Sequence, residues 1–374
     1  MYNLSEIAEC VNGKLCGNDK IVSNFSIDSR TILQDDVFFC IKGERYDGHD
    51  FIKDSLKKAS CIVTAKDIKD INLDKKSYIK VDDTLQALQS VSKYVRNKSS
   101  AKFIAITGSN GKTTVTLLLE HILNSLGKKA KAGGNVGLPA LELLETNLEY
   151  NILELSSFQL EMTKKISCLA SLITNITPDH LDRHKSFENY KYIKHKIFEN
   201  SEKQILNRSD KNIYKTEKNI TFSFGSDKPP NNSSFGIEFS KGLNYIIKGK
   251  ERILCENEIK LLGRHNLENI CASLAIINFL GLDINKALES IKDFNCVEHR
   301  MEKFHEKRNL HWINDSKSTN KDSTISAVNA LKGNIILILG GRSKTNNYTD
   351  LEKIVNSELS TKIKSSKIKH NQTL

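Results

Sequence analysis

The stretch Lys102–Thr114, KFIAITGSNGKTT, decides the fold. Its first six residues are a short apolar run of the kind that predicts a strand buried on both faces. The run ends at Thr107 and passes through Gly108-Ser109-Asn110-Gly111 into Lys112-Thr113-Thr114. Helical periodicity follows, with Leu117, Leu118, His121, Ile122 and Leu126 on one face. Strand, glycine loop and helix in that order make a phosphate cradle. Glycines let backbone N–H groups close around phosphate oxygens, and the helix N-terminus adds positive potential. Lys112 can reach the β- and γ-phosphates and the Thr113 hydroxyl can ligate Mg²⁺. The full P-loop pattern asks for glycine where this chain has Ile106, so the loop is a variant that still predicts ATP binding.

Outward from the loop, Tyr150–Leu155 and Ser171–Ile176 are further strand candidates and Asn189–Phe198 reads as a helix. Strands alternating with helices imply an α/β fold with a parallel sheet covered on both faces. Upstream, the helical stretch Asp83–Asn97 ends in the polar break Asn97-Lys98-Ser99-Ser100, a domain boundary. Residues 218–255, with Pro229-Pro230 and Asn231-Asn232, read as small β-hairpins. Helical patterning returns at Asn266–Leu280 and Ile284–Phe294. A third αβ unit is expected near residue 297: strand His311–Asn314, helix Asp322–Leu331, strand Asn334–Leu339. From Leu359 the chain is lysine-rich, without an acid or an apolar face, and reads as a disordered tail. The expected division is 1–98, 99–296 and 297–374.

Composition narrows the class. The chain has 374 residues, 39% hydrophobic and 27% charged, as in an ordinary soluble globular protein of two or three domains. No run approaches the roughly 18 apolar residues that cross a bilayer, and the N-terminus lacks signal-peptide patterning. The eight cysteines are scattered and none forms a CxxC pair, which favours reduced thiols in a cytosolic protein over a zinc site or disulfide framework. A net charge of +11 is spread along the chain without an aromatic-interleaved basic motif. It suits a phosphate-bearing substrate better than nucleic acid.

Acids and histidines gather where strands stop. Glu154 ends one strand candidate, and a carboxylate at the C-terminal edge of a parallel strand lies in the crevice where ligands bind. There it can hold Mg²⁺ against phosphates. Asn175-Ile176-Thr177-Pro178-Asp179-His180 ends the next, and His180 beside Asp179 is a candidate metal ligand.

TGSNGKTT (Thr107–Thr114), NVGLPALELL (Asn135–Leu144), ELSSFQLE (Glu154–Glu161), TPDHLDRH with ENYKYIK (Thr177–Lys194), GRHNLEN (Gly263–Asn269), EHRME (Glu298–Glu302) and NDSKSTN (Asn314–Asn320) occur in that order. Together they resemble the Mur ligases, and ELSSFQLE with DHLDRH resembles the branch that adds D-glutamate to UDP-N-acetylmuramoyl-L-alanine in peptidoglycan synthesis. The resemblance covers about residues 101–346. It implies a three-domain architecture with a central P-loop ATPase sheet and a Rossmann-like C-terminal domain, here incomplete, in a cytoplasmic enzyme expected to be a monomer. It also implies a reaction in which the substrate carboxylate attacks the γ-phosphate of ATP and the amine attacks the resulting acyl phosphate. Carried over by motif, Gly108, Ser109, Asn110, Gly111, Lys112, Thr113 and Thr114 would cradle the phosphates. Thr113 and Glu154 would hold one Mg²⁺ and His180 a second. Lys194 matches the family's carbamylated lysine, whose carbamate would be an anion near the metal. Lys112, His180 and Lys194 would carry the catalysis. Asn135 would lie near the uracil-nucleotide substrate; Asn269, Arg300 and Asp315 would bind adenine, phosphate and ribose. Lys317, Thr319 and Lys344 would approach the incoming amino acid and the acyl group.

The pattern departs from that branch at both ends. Asp28-Ser29-Arg30, Asp36–Gly43 and Asp47-Gly48-His49 resemble the N-terminal domain of the later ligases, which add the third amino acid or D-Ala-D-Ala, with Ser29 and Arg30 near the uridine. After Lys344 nothing resembles the remaining glutamate contacts, so weak or absent turnover is expected, with nucleotide binding retained. A ligase for another amine and a nucleotide-binding protein of little activity are the alternatives.

Overall fold

The computed structural model describes residues 1–68, 76–140, 142–143, 148–213, 222–295, 297–318, 320–331, 333–340 and 349–350. The chain divides into two compact units, Met1–Ser100 and Ala101–Leu374.

The first unit is built on a five-stranded sheet in the order Lys14–Cys16, Ser77–Lys80, Cys61–Thr64, Asp36–Phe39, Asn24–Ser26. Only its first pairing is antiparallel. Asp36–Phe39 and Cys61–Thr64 are wholly buried, as central strands covered on both faces must be. The helix expected over Asp83–Asn97 spans Thr84–Lys98 and buries Thr84, Ala87, Val91 and Val95. Asp83 is its cap: one carboxylate oxygen accepts from the N–H groups of Leu85 (2.7 Å) and Gln86 (3.0 Å).

The second unit holds the α/β core read from the sequence. Its six strands run Ser223–Phe224, Ser201–Asn207, Cys168–Ile173, Lys102–Thr107, Tyr150–Glu154, Ala130–Gly134, all parallel. The strand Lys102–Thr107 matches its expected bounds and is buried from Phe103 onward. Its side chains alternate between two layers. Ile104 and Ile106 join the helices Lys112–Ser125, Arg264–Phe279 and Ile284–Asp293 on one face. Phe103 and Ala105 pack with Leu160, Tyr190 and Ile193 on the other. After Ala130–Gly134 and Tyr150–Glu154 have formed on one side of the central strand, the chain crosses to place Cys168–Ile173 on the other. The loop therefore leaves the sheet at a topological switch point, where a crevice opens at the carboxyl ends of the strands.

Two expectations change. The strand expected at Ser171–Ile176 lies at Cys168–Ile173, because Thr174 onward turns to wall the phosphate loop: Thr174 donates its N–H to the Thr107 carbonyl (2.9 Å). Asn334–Leu339 is not a strand. Leu310–Asn314 pairs antiparallel with Glu302–Lys307 in a hairpin whose turn residues, Arg308 and Asn309, both have positive φ. No described strand receives the apolar run beyond it, and Ile336 and Ile338 stay 78% and 82% exposed. The hairpins expected in 218–255 are three antiparallel strands, Phe235–Ser240, Leu243–Lys248 and Glu251–Cys255, while Ser223–Phe224 extends the parallel sheet. No helix of the described residues is long and apolar enough to cross a membrane, and the seven described cysteines are free thiols.

Removing the cap with Asp83→Ala should cost about 1 kcal/mol. It should lower the urea midpoint for unfolding of the first unit, and an unchanged midpoint would show that the cap contributes nothing.

Candidate functional site

The loop Gly108–Gly111 is held from below by residues of the neighbouring strand end. Ser109 donates its N–H to the Asn175 carbonyl (2.9 Å), and the Asn110 N–H donates to the Asn175 side-chain oxygen (2.9 Å). The Asn110 carbonyl accepts from Thr174 Oγ1 (2.6 Å) and Asn175 Nδ2 (3.0 Å). Gly111, at φ +78°, caps the helix Lys112–Ser125. A Cβ there would meet Asn269 Oδ1 at 2.4 Å, so only glycine allows the loop to approach the helix Arg264–Phe279 this closely. The Ser109 hydroxyl shares a hydrogen bond with the Tyr190 hydroxyl (2.9 Å).

Two lysines converge on the crevice. Lys112 is half-buried, and desolvation lowers its pKa; Arg300 lowers it further, while Glu154 and Asp179 oppose. Lys194 is 2% exposed; its ammonium donates to the Gly108 carbonyl (2.9 Å) and Thr107 Oγ1 (3.3 Å), and lies 4.9 Å from the centre of the Tyr190 ring. Burial, with the Lys112 charge adding to it, brings Lys194 down to about 7, against the pull of Asp179 and Glu154. Glu154 is fully buried: its Oε1 accepts from Asn135 Nδ2 (2.7 Å), and its Oε2 has no hydrogen-bond partner. A buried carboxylate oxygen left open beside a phosphate loop fits a Mg²⁺ ligand, and the Thr113 hydroxyl stands at the start of the loop helix. Among the described residues no group of three or more His, Cys, Asp or Glu forms a metal cage. His180, in the left-handed region at φ 52°, lies with Nε2 3.5 Å from Asp179 Oδ2 and its ring against Phe158.

Beside the loop is a cavity of about 250 Å³. Asn110, Gly111 and Thr114 line it on the loop side, and Asn269, Arg300 and Asp315 on the other, so the nucleotide residues expected from distant parts of the sequence share one wall. Asp315 accepts from the Met301 N–H (3.1 Å) and the Ser318 hydroxyl (2.5 Å). Arg300 Nη2 donates to Thr113 Oγ1 (3.2 Å). A second tie was not foreseen: Asn110 Oδ1 accepts from Ser323 Oγ (2.7 Å) and Asn320 Nδ2 (3.2 Å), fastening the helix Lys321–Ala330 to the loop. Asn175 and Tyr190 were also missed as loop supports, although both lie within motifs the sequence displays.

Asn135 is placed as a buttress for Glu154 through both its side chain and its N–H (2.8 Å to the Glu154 carbonyl). Lys317 is exposed. In the first unit Arg30 is 85% exposed and pairs with Asp28 at 2.6 Å, with Ser29 between them. Thr319 and Lys344 lie outside the described residues.

Fold and site define an α/β protein with a P-loop-like turn and two lysines in its crevice. Residues 106–277 match the Mur ligase middle domain, and residues 21–96 match the catalytic domain of the Mur ligase family. The chain belongs to the Mur ligase family. It is 37% identical over 254 residues to the UDP-N-acetylmuramoylalanine--D-glutamate ligase of Vibrio atlanticus (strain LGP32), covering 67% of this chain and 57% of that protein. The enzyme of the same description from Pasteurella multocida (strain Pm70) is 37% identical over 255 residues, 68% and 58% of the two chains. The chain thus spans rather more than half the length of these relatives. In fold it is similar to MurF from Acinetobacter baumannii, with a TM-score of 0.73 at 20% identity over 88% of this chain and 76% of that one. MurF ligase from Thermotoga maritima, solved in complex with ADP, gives a TM-score of 0.65 at 20% identity over 83% and 75%.

The Lys194 shift has a measurable consequence. Between about pH 7 and the ordinary lysine value the unfolded chain holds a proton that the folded chain has released, so this group makes stability rise with pH across that window. Below pH 7 both states are protonated and the penalty of burying the charge is complete. In CO₂-free buffer, urea unfolding between pH 7.5 and 9.5 should show a slope that Lys194→Met reduces by up to about 1.4 kcal/mol per pH unit. Parallel slopes for the two proteins would refute the assignment.

Proposed function

We propose that the protein is an ATP-dependent ligase that joins D-glutamate to UDP-N-acetylmuramoyl-L-alanine in the cytoplasm. The observation that carries this reading is its 37% identity, over two thirds of its length, to ligases of that description, combined with an intact loop–Glu154–Lys194 crevice. In it, backbone N–H groups of Gly108–Gly111 and the Lys112 ammonium bind the phosphates of ATP. Arg300, now on Thr113, is within reach of the same phosphates. Thr113 and Glu154 would hold a Mg²⁺ and His180 a second, which when bound supplies charge neutralisation at the transferring phosphoryl group. A Lys194 whose amine is half neutral near pH 7 can add CO₂, since only the neutral amine is nucleophilic; its carbamate would turn a cation into an anion beside Glu154. The substrate carboxylate then takes the γ-phosphoryl group as an acyl phosphate, the amine of glutamate attacks that carbonyl, and phosphate leaves. The chain would act as a monomer in three parts, 1–98 for the uridine nucleotide with Ser29 and Arg30, 99–296 for ATP and 297–374 for the amino acid with Lys317, Thr319 and Lys344.

The reading is tested by phosphate release from the purified protein with ATP, Mg²⁺ and a panel of UDP-muramyl acceptors and amines. Weak but measurable release that requires UDP-N-acetylmuramoyl-L-alanine and D-glutamate together is expected. Glu154→Gln should raise the Mg²⁺ needed for half-maximal rate by roughly tenfold or more, since it replaces a charged metal ligand by a neutral one. Turnover confined to D-Ala-D-Ala, or nucleotide binding without turnover on any pair, would overturn it.

A further inference from the structure

We propose that Glu268 selects the base of the bound nucleotide. Its carboxylate accepts a hydrogen bond from the exocyclic amine of adenine and repels the carbonyl oxygen that hypoxanthine and guanine carry at the same position. The inference rests on the cavity being an ATP site and goes beyond it by assigning, beside the Asn269 expected from the sequence, a second residue that reads the purine.

The cavity has two chemically different ends. At the loop end stand Asn110, Gly111 and Thr114, with Lys112 and Arg300 close by. Phosphates belong there, and a carboxylate there would repel them. The acids whose field reaches Lys112 are Glu154 and Asp179. Glu268 lines the same cavity among other neighbours, Arg264, Asp210 and Asp227. Phe224, 1% exposed, and Leu261, 5% exposed, also line the cavity and give it apolar surface against which a purine plane can lie. One face of the helix Arg264–Phe279 connects the two ends: Asn269 closes against Gly111, while Glu268 and His265, three residues apart, look into the cavity.

Among the described residues, no hydrogen bond or ion pair reaches the Glu268 carboxylate. Burial raises its pKa, Arg264 opposes, and Asp210 and Asp227 add to the rise, so the group gains from a ligand that brings an N–H donor. Adenine presents two at its exocyclic nitrogen. Hypoxanthine presents an acceptor in that place, and two facing acceptors with no proton between them are repulsive. A site built to accept discriminates strongly against a ligand lacking the donor.

Calorimetric titration of the whole protein with ATP, ITP and purine riboside triphosphate, each with Mg²⁺, tests the assignment. Wild type should bind ATP about tenfold or more tightly than purine riboside triphosphate, which lacks the amine, and ITP should be weaker still. Glu268→Gln, whose amide can also donate, should shrink the ATP-to-ITP ratio by about tenfold, and Glu268→Ala should weaken ATP while strengthening ITP, since the repelling carboxylate is gone. Equal binding of the three nucleotides by wild type overturns the assignment without recourse to any variant, as does an unchanged ratio in folded Glu268→Gln. Failure of wild type to bind any of the three would instead remove the ATP reading itself.

Discussion

Two ammonium groups in one crevice, Lys194 buried and Lys112 half-buried, impose the constraint on which the rest of this structure depends. Desolvation lowers the pKa of both, and the Lys112 charge lowers that of Lys194 further. Such a pair is tolerable because Glu154 and Asp179 face it and because Lys194 is solvated by backbone, through the Gly108 carbonyl, and by the Thr107 hydroxyl. The unpartnered Glu154 oxygen is the other side of the same arrangement. An acid oxygen short of a donor beside lysines whose pKa values are lowered is the kind of perturbed cluster that the proposed Mg²⁺ and phosphate ligands would relieve.

That crevice could not be built by the loop alone. Asn175 and Thr174 set its floor, Tyr190 reaches Ser109, and Asn269 fills the space that a side chain at position 111 would need. Arg300 and Ser323 then tie the part of the chain beyond residue 297 to Thr113 and Asn110. The first of these lands on Thr113 Oγ1, the hydroxyl proposed as a Mg²⁺ ligand, so an ion bound there would have to displace Arg300 from it.

How much of this was readable in the sequence follows from the range of the forces involved. The strand Lys102–Thr107 and the helix capped by Asp83 were legible almost to the residue, since an apolar run ended by glycine, or an aspartate before an amphipathic stretch, is a local signal. Glu154 and Lys112 were legible because strand ends and loop helices place them by topology. The Tyr190–Ser109 and Ser323–Asn110 bonds were not, spanning 81 and 213 residues with nothing in either partner's neighbourhood to announce them. Asn334–Leu339 misled for the opposite reason: its pattern is that of a strand, but a strand exists only when an edge receives it, and Leu310–Asn314 has turned back on Glu302–Lys307. In GRHNLEN the asparagine was legible and Glu268 was not, because an acid in a nucleotide site makes sense only once it is seen beside Phe224 and away from Lys112.

The two kinds of likeness reported for this chain answer different questions. Similarity to MurF at 20% identity extends over 88% of the chain and concerns the arrangement of strands and helices, which tolerates wholesale exchange of side chains if pattern and volume are kept. Identity of 37% to D-glutamate ligases covers 67% of the chain and concerns the side chains themselves. Which amine a ligase accepts is decided by charges and donors at the acyl carbon, not by the order of strands beneath them. The sequence likeness therefore weighs more for the substrate, and the fold likeness for how the crevice is supported.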